Sequence, residues 1–249
     1  MSDRGVDKAA SPALELYACM TPNVLKVMLM LGELELDFAI NHVRIYRGEN
    51  FAPGFDALHP YRKLPVLVDH AGPDGKPHRV FESGAILVYL SEKHERLCGD
   101  GLAQRSEIMQ WLMLQMSSVG PTFGNATHFN KAVQDQPYAK SRFITQAIRL
   151  CELYDARLRD VRYLVGENYS IADIATFPWL WRHPTMVGID ADAYPHLQRW
   201  IAEIRARPGF QRVFPAYKEL VSVDLADMAA ADPDAMDHFL GRGRWSLGN

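Results

Sequence analysis

The sequence predicts two domains, an α/β domain followed by an all-helical domain. Over the first hundred residues, short alternating apolar segments are interleaved with segments of helical apolar period. From Asp100 onward the apolar period is helical almost throughout. These two observations place the first domain at residues 1–98, with a polar N-terminal extension, and the second at residues 99–249, with a C-terminal tail.

Composition and charge restrict the class of protein. The chain has 249 residues, of which 48% are hydrophobic and 23% charged, as expected for a soluble globular protein. Its net charge of -3 gives no electrostatic reason to expect nucleic acid or an anionic membrane as a partner. No apolar run reaches transmembrane length, and the polar N-terminus lacks the apolar region of a secretory signal.

The three cysteines are Cys19, Cys98 and Cys151, and they lie far apart without a C-x-x-C motif. This spacing argues against a disulfide framework and against a structural zinc site. We therefore expect a protein without a metal in a reducing cytoplasm.

Elements of the first domain follow the order β-α-β, a crossover segment, then β-β-α. The segment LELYA alternates like a strand, and Val24, Val27, Met28 and Leu31 recur after it at helical spacing. This order of elements is typical of a thioredoxin-like domain. The predicted strands are residues 14–18, 37–43, 63–69 and 78–82, and the predicted helices are residues 23–34 and 83–93.

The second domain is predicted to be a set of helices. Their expected ranges are residues 105–120, 138–160, 170–181 and 195–208, and Gly120-Pro121 is expected to end the first. The segment SIAD fits a capping box, to which we assign a folding role. The Met- and Trp-rich run inside the first helix is more typical of core or interface than of a cofactor site. After a shorter helix, the tail has Phe239 and Trp245 as apolar points, and it either packs as an arm or is loose.

The first candidate functional motif is Thr21-Pro22, at the junction between a strand and a helix. Thr is a good N-cap and Pro is favoured at the first helical position, so the motif has a purely structural interpretation. The functional interpretation is that the exposed amides and the positive dipole end hold and activate an anion. The motif alone fits both.

Two further motifs carry the same ambiguity. Pro65 interrupts the apparently buried strand KLPVLVD, which indicates either an edge strand or a cis bond after Leu64. A cis bond would expose the Leu64 backbone for pairing with an extended peptide. Glu82 and Ser83 open a helix, where Ser is first of all a cap but also a donor to a carboxylate.

These motifs in combination resemble the glutathione transferases. KLPVLVD and FESGAILVYLSEK are similar to the glutathione-binding motifs of that family. TPNVLKV, QWLMLQMSSVGPTFG, PYAKSRF and NYSIADIATFPWLW resemble the Nu class and its nitrogen-regulator relatives in particular. The resemblance covers roughly residues 14–208. It implies a thioredoxin-like domain plus an all-helical domain, glutathione as co-substrate and a homodimer.

The resemblance also implies a role for each binding residue. Glu82 and Ser83 would hold the γ-glutamyl end of glutathione. The Leu64 backbone, before Pro65, would pair with the cysteinyl backbone, and Lys63 would neutralise the glycyl carboxylate.

The remaining implied roles concern the sulfur and the edges of the site. Thr21 would donate a hydrogen bond to the thiolate, with Asn23 beside the sulfur. Asn50 stands where relatives often carry the longer Gln. Arg142 matches an arginine that reaches glutathione across the dimer interface. Tyr61-Arg62 replaces a small polar pair, which affects the glycyl end.

The chemistry of such a site depends on a thiol that the protein itself does not supply. A free thiol has a pKa of about 8.5, so a hydroxyl donor and a helix N-terminus are needed to favour the thiolate. The thiolate would attack a disulfide sulfur or an electrophilic carbon of a small molecule. Cys19 lies two residues before Thr21 and is expected to be a strand-end residue. The alternative function is a non-catalytic glutathione-binding regulator or scaffold.

Overall fold

The computed structural model describes residues 12–131 and 136–246, so most of the polar N-terminal extension lies outside the described residues. The first part contains four strands and two helices, and the rest of the described chain is helical. The strands are β1 (Leu14–Ala18), β2 (Ala39–His42), β3 (Val66–Asp69) and β4 (His78–Phe81). The helices are α1 (Pro22–Glu33), α2 (Ser83–His94), α3 (Gly101–Leu114), α4 (Gly120–Lys131), α5 (Pro137–Asp160), α6 (Ile171–Met186), α7 (Pro195–Ala206), α8 (Pro208–Ala230) and α9 (Pro233–Leu240).

The sheet has the strand order β2-β1-β3-β4, with β1 parallel to β2 and the other pairs antiparallel. Helix α1 provides the crossover between the two parallel strands, as such a connection requires. The predicted thioredoxin-like domain and the all-helical domain after it are therefore confirmed. The ladder between β3 and β4 begins at the pair Val66 and Phe81, so the predicted strand at residues 63–69 starts three residues too early.

Helix α1 lies at the centre of the molecule. Ten of its twelve residues are buried, because it packs on α2 and also on α6 and α8. Its two charged residues, Lys26 and Glu33, are therefore buried as well. Glu33 forms a two-pronged ion pair with Arg207, at 2.7 and 2.8 Å, which joins the end of α1 to the start of α8.

The helix predicted to end at Gly120-Pro121 does not end there. A π-helical segment, Gln115–Val119, connects α3 directly to α4. The prediction is wrong because a single π turn relaxes the i to i−4 hydrogen-bond pattern ahead of Pro121, which has no N–H to contribute. The segment also turns Gln115, which is fully buried, toward α1.

The capping box at the start of α6 is confirmed. The Asp173 carboxylate accepts hydrogen bonds from the backbone N–H groups of Ser170 and Leu164 and from the indole of Trp200. Burial raises the pKa of Asp173 to about 6. These bonds fix the position of α6, which is buried along most of its length.

The C-terminal tail packs as an arm on the segment between β2 and β3. The ring of Phe239 lies 4.8 Å from that of Tyr46, and His238 is stacked between Phe51 and Trp245. Helix α8 is much longer than the short helix expected at this point. None of the helices in the described ranges combines the length and the apolar character needed to cross a lipid bilayer.

Candidate active site

One pocket of about 390 Å³ brings together most of the predicted site residues. It lies where β1, β3 and β4 meet the first turns of α1 and α2. Arg142 is the exception, because it is an exposed residue of α5 and does not line the pocket. The predicted residues that line the pocket are Thr21, Asn23, Asn50, Lys63, Leu64, Pro65, Glu82 and Ser83.

Thr21 is the N-cap of α1. Its backbone is extended, at φ -123° and ψ 151°, and its hydroxyl oxygen accepts a hydrogen bond of 3.3 Å from the Val24 amide. The capping interpretation is therefore confirmed. Because the cap uses only a lone pair, the hydroxyl hydrogen of Thr21 can still be donated to another group.

Asn23 is oriented by a residue of the helical domain. The indole Nε1 of Trp179 donates a hydrogen bond of 3.1 Å to Asn23 Oδ1. Since the carbonyl oxygen of the amide is engaged, the Asn23 NH₂ group remains as a donor. The sequence contains no local signal for this role of Trp179, because the two residues are 156 positions apart.

Cys19 also lines the pocket, but it is not a reactive thiol. The residue is 1% exposed, directly after β1. Burial raises the pKa of its thiol to about 12, and a hydrogen bond with Thr21 only partly opposes this rise. A neutral thiol is a poor nucleophile, so Cys19 is the strand-end residue that the sequence predicts.

The Leu64–Pro65 peptide bond is cis. Of the two interpretations of Pro65, the structure therefore has the cis bond. Leu64 precedes the β3 ladder, which begins at Val66, and it lines the pocket. Its backbone is thus outside the sheet pairing of β3.

Glu82 holds an unusual backbone conformation at the start of α2. Its φ of 70° and ψ of 119° are rare for any residue other than glycine, and such a conformation costs on the order of 1–3 kcal/mol. It places Ser83 as the first residue of the helix, at 3% exposure. The Glu82 carboxylate lies 3.8 Å from His59 Nε2. Burial lowers the pKa of His59, which disfavours the charged form of that ring as an ion-pair partner of Glu82.

The pocket lining also contains cationic residues, Arg62 and Lys63. The Lys63 ammonium lies over the ring of Tyr61, 5.2 Å from its centre. The Asn50 NH₂ group donates to the Arg62 carbonyl at 3.2 Å, and the Arg62 guanidinium donates to the Phe51 carbonyl at 3.0 Å. The buried Asn50 Oδ1 has no hydrogen-bond partner among the described residues.

Lys26, which the sequence does not predict as a site residue, lies behind Ser83 and contacts it. Its ammonium donates to Ser83 Oγ at 3.3 Å and to Gln115 Oε1 at 2.7 Å. The residue is 1% exposed, and burial lowers the pKa of its side chain to about 7. The one local signal is a lysine inside an otherwise apolar helix.

Comparison with known proteins identifies the family. Residues 21–93 match the N-terminal domain model of glutathione S-transferases, and residues 110–208 match the C-terminal domain model. The disulfide-bond oxidoreductase YfcG of Escherichia coli is 41% identical over 199 residues, which cover 78% of this chain and 91% of that protein. The chain belongs to the glutathione S-transferase family. All eight predicted residues that line the pocket fall within the N-terminal match, and the tail after residue 208 lies beyond both.

This glutathione S-transferase chain is also similar to a solved bacterial transferase and to a URE2 protein. A glutathione transferase from Burkholderia graminis, solved with two glutathione molecules bound per subunit, has 38% identity and a TM-score of 0.77, covering 82% of this chain and 89% of its own. Protein URE2 of Meyerozyma guilliermondii is 29% identical, over 77% of this chain and 75% of that protein. The resemblance to both enzymes and nitrogen-regulator relatives is therefore confirmed.

Two further observations on this glutathione S-transferase chain concern a second pocket and metal binding. A larger pocket, of about 540 Å³, lies between α2 and α3, and none of the predicted site residues lines it. Within residues 12–131 and 136–246, no group of three or more His, Cys, Asp or Glu side chains is placed to hold a metal ion.

Proposed function

We propose that this chain binds glutathione in the 390 Å³ pocket and uses the glutathione thiolate to reduce disulfides or to conjugate electrophiles. One observation carries the proposal. The pocket is lined by a carboxylate (Glu82), a buried serine (Ser83), a lysine (Lys63) and the N-cap of α1 (Thr21). Glutathione has the matching groups, namely an ammonium and a carboxylate at one end, a carboxylate at the other, and a central thiol.

The charges of the pocket define the orientation of the peptide. The Glu82 carboxylate pairs with the γ-glutamyl ammonium, and Ser83 with the first-turn amides of α2 binds the adjacent carboxylate. Lys63 neutralises the glycyl carboxylate, and Asn50 lies close to it. The Leu64 backbone, which is free of the β3 ladder, pairs with the cysteinyl backbone in the manner of an added strand.

This orientation places the thiol at the start of α1. The Thr21 hydroxyl and the NH₂ group of Asn23 are the donors to the thiolate, which is a stronger acceptor than the neutral Cys19 thiol to which Thr21 is otherwise hydrogen-bonded. Lowering the pKa of the thiol by about two units corresponds to roughly 2.7 kcal/mol. One charge-assisted hydrogen bond together with the helix dipole is sufficient for that amount.

The disulfide reaction is two successive exchanges. The bound thiolate attacks one sulfur of the substrate disulfide, a mixed disulfide with glutathione forms, and the other sulfur leaves as a thiolate that takes up a proton. A second glutathione thiolate then attacks the mixed disulfide, which releases the second product thiol and oxidised glutathione. In conjugation, the same thiolate forms a bond to carbon while the leaving group departs with the bonding electron pair.

A homodimer with shared sites and a cytoplasmic location belong to the same proposal. Arg142 is exposed on α5 and does not line the pocket of its own chain. Both properties are required of a residue that contacts glutathione in the partner subunit. A reducing compartment keeps the co-substrate in its thiol form.

The second candidate function is a glutathione-binding regulator without turnover. The 29% identity to protein URE2 is the observation that favours this possibility. The test is a disulfide-reductase assay on the purified protein with excess glutathione, coupled to the reduction of oxidised glutathione. Turnover of a small disulfide supports the enzyme. Saturable glutathione binding without turnover of disulfides, peroxides or aryl halides supports the regulator.

A further inference from the structure

Lys26 is a buried cation without a charged partner. Its ammonium contacts three neutral groups, which are Gln115 Oε1 at 2.7 Å, Ser83 Oγ at 3.3 Å and Met116 Sδ at 3.6 Å. In the described part of the chain, no carboxylate lies within ion-pair distance of it. Glu82 is close enough to favour its charged form, but the Glu82 side chain is 58% exposed. A buried ammonium with this surrounding is costly, because burial removes its hydration and nothing replaces the lost charge interaction.

The contacts of Lys26 point toward the pocket. On the side of Lys26 away from the pocket lies Gln115, which belongs to the π-helical segment between α3 and α4. Its amide oxygen accepts a hydrogen bond from the ammonium but carries no charge. Ser83 is on the near side and lines the pocket. Ser83 Oγ accepts from the ammonium, and its hydroxyl hydrogen makes only a long contact of 3.9 Å to Met116 Sδ. Because a thioether sulfur is a weak acceptor, a carboxylate on the pocket side can take that hydrogen instead. The Lys26 ammonium and the positive end of the α2 dipole thus both lie at Ser83, the first residue of α2.

We propose that Lys26 is a positioning residue that completes the binding site of the γ-glutamyl carboxylate, acting through Ser83. This inference rests on the proposed function, which places that carboxylate at Ser83. The anion supplies the negative charge that Lys26 lacks in the free protein. Lys26 does not touch the ligand. The thiol chemistry takes place at Thr21 and Asn23, at the start of α1.

The protonation of Lys26 agrees with this role. Burial lowers the pKa of the side chain to about 7, so the free protein is only partly charged there at neutral pH. A carboxylate bound beyond Ser83 favours the ammonium form. Ligand binding and protonation of Lys26 therefore support each other.

The test measures the affinity of wild type and of Lys26→Met for two ligands. The ligands are glutathione and its analogue in which the γ-glutamyl α-carboxyl is replaced by hydrogen. Wild type is expected to bind glutathione about tenfold more tightly than the analogue, which is ~1.4 kcal/mol. In Lys26→Met this preference is expected to disappear, while affinity for the analogue stays close to that of wild type.

A second readout separates this role from a merely structural one. Since the buried ammonium is destabilising in the free protein, Lys26→Met is expected to unfold at an unchanged or higher temperature. Lys26→Gln serves as an independent variant, because it retains a polar group without a charge. Lys63→Met is the matched control, since it weakens both ligands equally by acting on the other carboxylate.

The outcomes are distinct. An equal loss of affinity for both ligands in Lys26→Met and Lys26→Gln overturns the role of Lys26 and leaves the proposed function intact. If wild type itself binds glutathione but does not distinguish it from the analogue, the placement of the carboxylate at Ser83 is wrong and this inference fails with it. If wild type binds neither ligand, the proposed function is wrong.

Discussion

The indole N–H of Trp179 donates a hydrogen bond to Oδ1 of Asn23, and this bond connects the helical domain to the first turn of α1. Because the bond engages Oδ1, the NH₂ group of Asn23 is the part of the amide that can donate to a ligand. Trp179 is 8% exposed and lies on α6, whose position is determined by the Asp173 capping box. The helical domain therefore orients a donor of the site as well as covering it.

Trp179→Phe tests this orientation. The substitution keeps an aromatic ring but removes the N–H, so the Asn23 amide is free to rotate. We expect turnover with glutathione to fall several-fold while the KM for glutathione changes little, because the donor acts at the sulfur. Trp181→Phe is the control, since Trp181 packs on Phe177 in the same helix. Equal effects of the two substitutions would show that Asn23 orientation is unimportant.

Thr21→Ala removes both the cap and the thiolate donor. Loss of the cap is expected to cost about 1 kcal/mol of stability. Loss of the donor is expected to raise the pKa of bound glutathione, measured by ultraviolet difference spectroscopy, and to lower turnover more than affinity. Thr21→Ser keeps the hydroxyl and should retain both properties. Activity of Thr21→Ala equal to that of wild type would remove Thr21 from the mechanism.

Arg142→Ala tests the shared site. If the protein is a dimer in which Arg142 reaches the partner's pocket, the substitution weakens glutathione binding without changing the fold. Arg149 is also exposed on α5, seven residues or about two turns further on, and Arg149→Ala is the matched control. Light scattering that shows a monomer in solution would contradict the shared site.

Phe239→Ala tests the part of the pocket that comes from the tail. Phe239 lines the pocket, yet α9 contains no buried residue, so the free energy of unfolding is expected to change little. We expect activity toward bulky disulfides to rise relative to small ones, because the ring no longer narrows the opening. Met236→Ala, on the same helix but outside the pocket lining, should leave this ratio unchanged. An unchanged ratio for Phe239→Ala would show that the tail does not select substrates.

The features that were predictable from the sequence are those that depend on local patterns. Strand β1 is predicted to the residue. Pro65 indicates either an edge strand or a cis bond, because a proline cannot donate within a ladder, and the structure has the cis bond. Lys26 was not predicted, because no local pattern shows that α1 is packed against other helices, whereas ten of its twelve residues are buried. Trp179 was missed for a similar reason: its N–H meets Asn23 only through tertiary packing. The π-helical turn before Pro121 was also not visible in the sequence.

The most direct test of the account is isothermal titration calorimetry of the purified protein with reduced and with oxidised glutathione. The account predicts saturable binding of both ligands, with affinity lost in Ser83→Ala and in Lys63→Met. Absence of binding heat for either ligand at millimolar concentration would contradict it.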